Sequence, residues 1–203
     1  MLTVYGAKGS GAAAVEAALL IARQPFKWVE AATWEPGPGL EELKRVNPLG
    51  QIPTLVLDDG AVMTESAAIL IWLGLRHPES GLLPRDNAQA IRGLTFIAAN
   101  CYAAIGVIDY PERFCADFDK ATGERIRAGT KARLCQYWDM FSDQFQLFQH
   151  GRLGALELLA AVVSRWSGAR AHLKAKRPAF HDKLLDVEAD TRIARVFQRH
   201  WPS

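Results

Sequence analysis

A proline just before a short strand is the first feature of this sequence that could take part in ligand binding. Pro53 precedes the strand-compatible run Thr54–Leu57, and a proline in that place either marks the edge of a sheet or forms a cis turn. A cis Ile52–Pro53 bond would turn the backbone N–H and C=O of Ile52 outward. Those two groups could then hydrogen-bond an extended peptide ligand as one more strand would.

A predicted helix start supplies the second feature of this kind. Residues 58–60, Asp-Asp-Gly, are typical of a hairpin turn. Glu65 and Ser66 then come directly before the apolar run Ala67–Leu73, which predicts a buried helix. The free N–H groups and the positive dipole end of a helix start favour a carboxylate. Together with the outward groups of Ile52, this helix start predicts a site for a small anionic peptide.

The elements that must position these residues alternate between strand and helix. The apolar pattern predicts two parallel strands joined by a helix, then a hairpin and a further helix. This is the order of a thioredoxin-like βαβ–ββα domain, although the redox Cys-x-x-Cys of thioredoxin is absent. The predicted segments are the strand Leu2–Tyr5, the helix Ala12–Arg23, the strand Phe26–Val29, the short helix Leu40–Arg45, the strands Thr54–Leu57 and Ala61–Met63, and a helix from Ser66.

No further strand is predicted after the polar, proline-containing connector at residues 79–87. The later segments carry wide apolar stripes, which predict helices. The predicted fold class is therefore α/β plus all-α, with a thioredoxin-like domain at residues 1–78 and an all-helical bundle at residues 88–203. The predicted helices of the bundle are Ala88–Ile108, Thr122–Phe148, Ala155–Ser167 and Lys183–His200.

One stretch of the chain resembles a known ligand site. The residues that carry the resemblance are Asn47, Pro48, Gly50, Ile52, Pro53, Leu55, Glu65 and Ser66. Their spacing resembles the glutathione site of the cytosolic glutathione S-transferases, in particular bacterial members with a serine or cysteine at the active-site position. The resemblance is sharp from Val46 to Leu73 and only architectural beyond Asp86.

The resemblance implies that glutathione is the co-substrate and assigns the residues that bind it. Ile52 and Pro53 would hold the peptide backbone. Ser66 would bind the γ-glutamyl carboxylate through its hydroxyl and N–H, and Glu65 would bind the ammonium group. Gln51 would donate to the glycine end.

Glutathione chemistry also needs a donor that stabilises the thiolate, because the pKa of a free thiol is about 8.5. The donor must lie at the end of the first strand or the start of the first helix, where Tyr5 and Ser10 compete for the role. Ser10 stands five residues after Tyr5, as in serine-type members, and would gain from the helix dipole. The backbone N–H of Gly11 or Ala12 is a third alternative. In the simplest interpretation, Ser10 only caps the helix and Tyr5 only fills the core.

The electrophile pocket implied by the resemblance lies between the two domains. One wall is expected to be the helix that carries Asn100, Tyr102, Ile105 and Gly106. Tyr102 and Asn100 are its polar candidates. Tyr110 and Pro111 should end this helix, because proline cannot continue the hydrogen-bond ladder.

The implied function is transfer of the glutathione thiolate to small, mostly hydrophobic electrophiles, as in detoxification, with peroxide reduction as a further activity. Two alternatives keep the same glutathione motif. One is a non-catalytic glutathione-transferase-like binding or regulatory protein, and the other is a glutathione-dependent isomerase. The resemblance also implies a homodimer.

Composition narrows the other classes of function. The net charge is +2, with 24 basic and 22 acidic residues well mixed, which predicts no nucleic-acid partner. Cys101, Cys115 and Cys135 have no ligand spacing, so neither a metal site nor a disulfide framework is expected. No signal peptide and no apolar run of about 18 residues are recognised. We therefore expect a cytoplasmic protein without a membrane partner.

Two local expectations concern the helical half. Where the family has a capping box, Gly154 replaces the hydroxyl residue, and Glu157 is expected to supply the remaining half of the box. The basic cluster from Arg165 to Arg177 is interpreted as a solvated helix face.

Overall fold

The computed structural model of the protein describes residues 1–148 and 151–202. Its first part has the predicted order of strands and helices, and the fold class is confirmed. The elements are β1 (Leu2–Gly6), α1 (Ala12–Ile21), β2 (Phe26–Glu30), α2 (Pro38–Val46), β3 (Thr54–Val56), β4 (Val62–Met63) and α3 (Ser66–Arg76).

The strands form a mixed sheet in the order β2-β1-β3-β4. Strands β1 and β2 are parallel, as expected for strands joined by the crossover helix α1, whereas β3 runs antiparallel to β1. The register pairs Tyr5 with Thr54, so the chain that enters β3 lies beside the loop that leaves β1. The segments around residues 7–11 and 51–53 therefore meet at one edge of the sheet.

Alternate residues of β1 face opposite layers of helix, as the pleat of a strand requires. Val4 belongs to the main core, which α1 and α3 complete on one face. Tyr5 packs with Ala31 and Leu43, a residue of α2, on the other face. The site end of β1 is thus held by packing on both of its faces.

The described residues of the second half are helical, apart from their connecting turns, as predicted. The elements are the 3₁₀ turn Pro78–Ser80, α4 (Ala88–Phe96), a π-helical turn (Ile97–Tyr102), α5 (Ala103–Asp109), the 3₁₀ turn Pro111–Phe114, α6 (Lys120–Gln144), α7 (Ala155–Val163), α8 (Ala169–Lys176), α9 (Pro178–Ala189) and α10 (Ala194–His200). The division into domains at residues 1–78, 79–87 and 88–203 stays a prediction.

The predicted single helix Lys183–His200 is wrong in its extent. Helix α9 begins earlier, at Pro178, and the chain breaks between α9 and α10. The cause is local, since the Asp190 carboxylate accepts a hydrogen bond from the Arg192 N–H at 3.0 Å and competes with the helix ladder.

The stretch Ala88–Asp109 contradicts the expectation that no long apolar run exists. It has 22 residues and is long and apolar enough, by length and composition, to cross a membrane. In the fold, Leu94, Ile97 and Cys101 from this stretch pack into the main core. A core helix of a globular protein passes the same test.

The start of α7 confirms the expected half of a capping box. One Glu157 carboxylate oxygen accepts the N–H of Gly154 at 3.0 Å, and the other accepts the N–H of Phe148 at 2.8 Å. Glu157 is therefore buried without an unpaired oxygen, as the low polarity of its surroundings requires.

The interpretation of residues 165–177 as a solvated basic face holds for Lys174 and Lys176, which are exposed, but it is wrong for Arg165 and Arg170. Glu188 pairs with Arg165 at 2.6 Å and with Arg170 at 2.8 Å. Arg170 also donates to the carbonyl oxygen of Ala161 at 2.7 Å, near the end of α7. These arginines tie α7 and α8 to α9.

Candidate functional site

The loop that enters β3 is organised by one buried amide. The Asn47 side chain donates to the Gln51 carbonyl at 3.1 Å and to the Thr54 hydroxyl at 2.9 Å. It also accepts the Leu49 N–H at 3.1 Å. Asn47 is only 3% exposed, so these bonds fix the path of residues 47–54 without help from water.

This path leaves the backbone polar groups of Ile52 without a partner among the described residues. The Ile52–Pro53 bond is cis, which is the second of the two forms considered for the sequence. Among the residues that the structure describes, no partner bonds to the N–H or C=O of Ile52. Both groups are thus available to an extended peptide, in the manner of an added strand.

The start of α3 supplies groups for a negative charge. Glu65 is the N-cap of this helix and has φ +63° and ψ 109°. For a residue other than glycine, such a backbone conformation raises the conformational free energy by about 1–3 kcal/mol. The first bond of the helix joins the Ile69 N–H to the Glu65 carbonyl, so the earlier N–H groups are unpaired in the described structure. Ser66 is 7% exposed, and its hydroxyl has no partner among the described residues.

Ser10 lies at the predicted position, and its hydroxyl is already engaged. The Ser10 Oγ donates to the Ala7 carbonyl at 2.7 Å. It accepts the N–H of Ala7 at 3.3 Å and the N–H of Ala12 at 3.2 Å. The side chain therefore closes the turn between β1 and α1, and a bound thiol would have to compete with Ala7 for its proton.

The helical half contacts the start of α1 at Gly11. Its N–H has no partner in the described part of the chain, and a side-chain Cβ at this position would collide with the Tyr102 hydroxyl. Burial raises the pKa of Tyr102 to about 12, and the charges of Glu65 and Asp109 add to the effect. The Tyr102 hydroxyl thus stays protonated near pH 7 and can donate.

Tyr5, the other hydroxyl considered for thiol activation, points elsewhere. Its hydroxyl donates to Glu42 at 2.7 Å, on the side of the sheet covered by α2. Burial, together with Glu42, raises the pKa of Tyr5 to about 12. This geometry argues against Tyr5 as the donor to a thiol at the start of α1.

The remaining predicted residues differ in how open they are. Gln51 is exposed, and its carbonyl rather than its side chain is bonded within the loop. The Asn100 side chain donates to the Phe96 carbonyl at 3.1 Å, and Ile105 is 4% exposed in the core. Gly106 has nothing within 4 Å of the place a Cβ would occupy. Tyr102 and Gly106 are therefore the members of this set best suited to face a pocket.

Sequence reasoning missed two residues that reach this region. Trp166 packs against Tyr102, with ring centroids 5.5 Å apart, and His200 accepts the Gly9 N–H at 3.2 Å. His200 stands 191 residues after Gly9 in the chain, and no local pattern signals a contact of that separation. The aromatic character of residue 166 was the only signal for the first contact.

Backbone and hydroxyl groups without a partner among the described residues thus lie at one edge of a thioredoxin-like domain. A helical bundle follows this domain, and the two together have the architecture of a glutathione transferase. Residues 12–76 match the sequence family described as "Glutathione S-transferase, N-terminal domain". The chain has the fold of a glutathione transferase homolog from Sulfitobacter solved with bound glutathione, with a TM-score of 0.81, 21% identity, and coverage of 97% and 96% of the two chains.

Two curated relatives agree with this assignment. The chain is 36% identical over 122 residues to an uncharacterized GST-like protein, YncG, of Escherichia coli, and the match spans 58% of each chain. It is 49% identical over 45 residues to a probable maleylacetoacetate isomerase of Caenorhabditis elegans, covering 22% of this chain and 21% of that protein. Residues 12–76 therefore match the N-terminal domain of glutathione S-transferases, and the matches span 58% of the first of these relatives and 21% of the second.

The contact between Gly11 and Tyr102 leads to a prediction about stability. Gly11 has φ −60°, which alanine adopts freely, so Gly11→Ala should lower the free energy of unfolding by steric overlap alone, by about 1–3 kcal/mol. The Tyr102→Phe background should recover much of that loss, because the hydroxyl is the nearest atom. Urea unfolding of the double-mutant cycle measures the coupling.

The matched control is Gly129→Ala on α6, where a Cβ meets nothing within 4 Å. It should keep or slightly raise stability, by up to about 1 kcal/mol. An equal loss for Gly11→Ala in both backgrounds would contradict the contact.

Proposed function

We propose that the chain binds glutathione along the edge formed by Ile52 and the start of α3. The observation that carries the proposal is the set of groups at that edge that no described residue bonds: the N–H and C=O of Ile52, the first N–H groups of α3, and the Ser66 hydroxyl. A peptide with a carboxylate at one end fits all of them. Pro53 completes the turn, Glu65 receives the γ-glutamyl ammonium, and Gln51 donates to the glycine carboxylate.

We place the glutathione sulfur above Gly11, between the two halves of the chain. The Gly11 N–H and the Tyr102 hydroxyl are donors with no competing partner there among the described residues. The Ser10 hydroxyl joins them when its hydrogen, which rotates freely, turns from Ala7 to the thiolate. Ser10 and Tyr102 are thus the side chains proposed to stabilise the thiolate, and Tyr5 has no part in this step.

The proposed reaction is attack of the thiolate on a small hydrophobic electrophile that enters beside Tyr102 and Gly106. Asn100 and Ile105 support that wall from within the helix. Reduction of peroxides by the same thiolate is a further activity. Glutathione is the co-substrate, and within the described residues no group of His, Cys, Asp or Glu side chains is arranged to hold a metal.

A second candidate is a glutathione-dependent isomerase, which the 45-residue match to the isomerase relative favours. The two reactions differ in the fate of glutathione, since a transferase consumes it and an isomerase releases it unchanged. Loss of free thiol during turnover separates them. A protein that binds glutathione without ionising its thiol is the non-catalytic alternative.

Ser66→Ala should weaken glutathione binding. The variant removes a hydrogen bond to a charged carboxylate, which is worth about 1.5–3 kcal/mol, and titration calorimetry with glutathione measures the change. Ser142→Ala is the matched control, because the Ser142 hydroxyl only bonds its own helix at Asp139. Equal affinity in Ser66→Ala and wild type would remove Ser66 from the site.

Thiolate absorbance near 240 nm tests the activation step. Binding should lower the pKa of the glutathione thiol by about one to two units, the equivalent of a hydrogen bond to a charged group. Ser10→Ala and Tyr102→Phe should each lose part of this shift, whereas Tyr5→Phe should keep it. A full shift in both of the first two variants would leave the Gly11 N–H as the donor. No shift in wild type would favour the binding-protein alternative.

We also propose that the chain is a cytoplasmic homodimer. Large apolar side chains are exposed on helices of both halves, among them Leu75 at 59% and Met140 at 41%, and a second copy would cover such residues. Sedimentation at micromolar concentration should give twice the mass of 22.4 kDa. A monomer mass under these conditions would reject the dimer.

A further inference from the structure

A buried chain of hydrogen bonds links the last helix to the loop that precedes α1. The Gly9 N–H bonds to Nδ1 of His200 at 3.2 Å, and Nε2 of His200 bonds to a Glu16 carboxylate oxygen at 2.9 Å. A backbone N–H can only donate, so Nδ1 must be the unprotonated nitrogen. His200 is therefore the neutral tautomer with its hydrogen on Nε2, directed at Glu16.

The surroundings of this chain hold it in one arrangement. Glu16 and His200 are each 4% exposed, and a buried carboxylate is stable only when it is paired. Arg199, next to His200, makes the second contact to Glu16. The His200 ring also stands edge-on to Trp28, with centroids 5.8 Å apart. Helix α1, strand β2 and helix α10 thus fix the imidazole from different sides.

Apart from this bond, the hydrogen bonds of the loop at residues 7–11 are local in the chain. Gly9 has φ +70°. Gly11, two residues later, has no side chain that could make a contact. The Ser10 hydroxyl closes the turn only onto Ala7 and Ala12. Among the described residues, the bond from Gly9 to His200 is the one hydrogen bond that ties residues 7–11 to a part of the fold distant in the chain.

We propose that His200, oriented by Glu16, is a positioning residue that sets the Ala7–Gly11 loop and so the donors for the glutathione thiol. The proposal rests on the thiol site described above. It assigns the last helix a part in catalysis without contact to the substrate. The Gly9 N–H is held by Nδ1, so Ser10 and Gly11 keep their orientation when the thiol arrives.

Charges of both signs lie around His200. They are Glu16 on α1, Arg199 on α10, Glu30 on β2 and Lys8 in the loop. Burial, reinforced by Arg199 and Lys8 and opposed by Glu30, lowers the pKa of His200 to about 4. Nδ1 is therefore free to accept near pH 7.

Three variants of His200 separate the hydrogen bond from Gly9 to His200, which we call the clamp, from general packing of the ring. His200→Asn puts an oxygen close to the place of Nδ1 and can still accept the Gly9 N–H. His200→Gln puts its amide close to the place of Nε2 and keeps only the link to Glu16. His200→Phe keeps the ring against Trp28 and neither bond. A purely structural role would make all three similar in activity at equal stability.

The measurements are glutathione conjugation to 1-chloro-2,4-dinitrobenzene, the pKa of bound thiol, and hydrogen exchange of the Gly9 amide. His200→Gln and His200→Phe should lose about 10- to 100-fold in kcat, with a raised thiol pKa and faster Gly9 exchange. His200→Asn should keep most of the kcat, most of the lowering of the thiol pKa, and most of the protection of the Gly9 amide from exchange. His181→Phe, at a histidine buried on α9 and paired with Asp182, is the control and should behave as wild type.

Two outcomes would overturn the proposal in distinguishable ways. An active wild type in which the Asn, Gln and Phe variants of His200 lose equal activity, or none, would reject the clamp and leave the proposed function intact. A wild type that neither conjugates nor ionises glutathione would reject the proposed function and the catalytic role of His200 with it. Slow Gly9 exchange in His200→Phe would reject the clamp whatever the activity.

Discussion

The pairing of β3 with β1 is the constraint on which the site depends. Because Tyr5 lies opposite Thr54, the backbone of Ile52 must emerge next to the loop that follows β1. A shift of one residue would move the unpaired groups of Ile52 and turn every side chain of β3 to the other face. Asn47 stabilises this register, because its buried side-chain amide donates hydrogen bonds to both Gln51 and Thr54. The entry into β3 and the position of the Ile52 backbone therefore depend on the same few hydrogen bonds.

The helical half contributes what the sheet cannot. A π-helical turn at Ile97–Tyr102 interrupts the long helix, and such turns are frequent at functional sites because they redirect side chains. Here the turn ends at Tyr102, whose hydroxyl lies over Gly11. The absence of a Cβ at Gly11 permits the approach. In the function we propose, the first domain holds the peptide and the thiol lies where both halves meet.

The sequence predicted the parts of the site that are local in the chain. The succession of strands and helices along the chain, the start of α3 at Ser66, and the edge or cis turn at Pro53 all follow from residues that lie close together. It could not predict that Tyr5 faces α2 and bonds to Glu42, because the face of a strand residue depends on which helix packs there. The contact of His200 with Gly9 spans 191 positions, and the pairing of Arg170 with Glu188 joins separate helices. Both are set by tertiary packing, which one sequence does not display.

A comparison of free energies decides whether the proposed thiol site needs a general base to ionise glutathione. Lowering a thiol pKa from about 8.5 to about 7 requires roughly 2 kcal/mol in favour of the thiolate. One hydrogen bond to a charged group supplies about 1.5–3 kcal/mol, so the N–H of Gly11 with one hydroxyl is enough. What the protein must then provide is precise placement of neutral donors. In the role we propose for them, a buried, paired Glu16 and a neutral His200 behind the loop would provide this placement without adding a charge beside the sulfur.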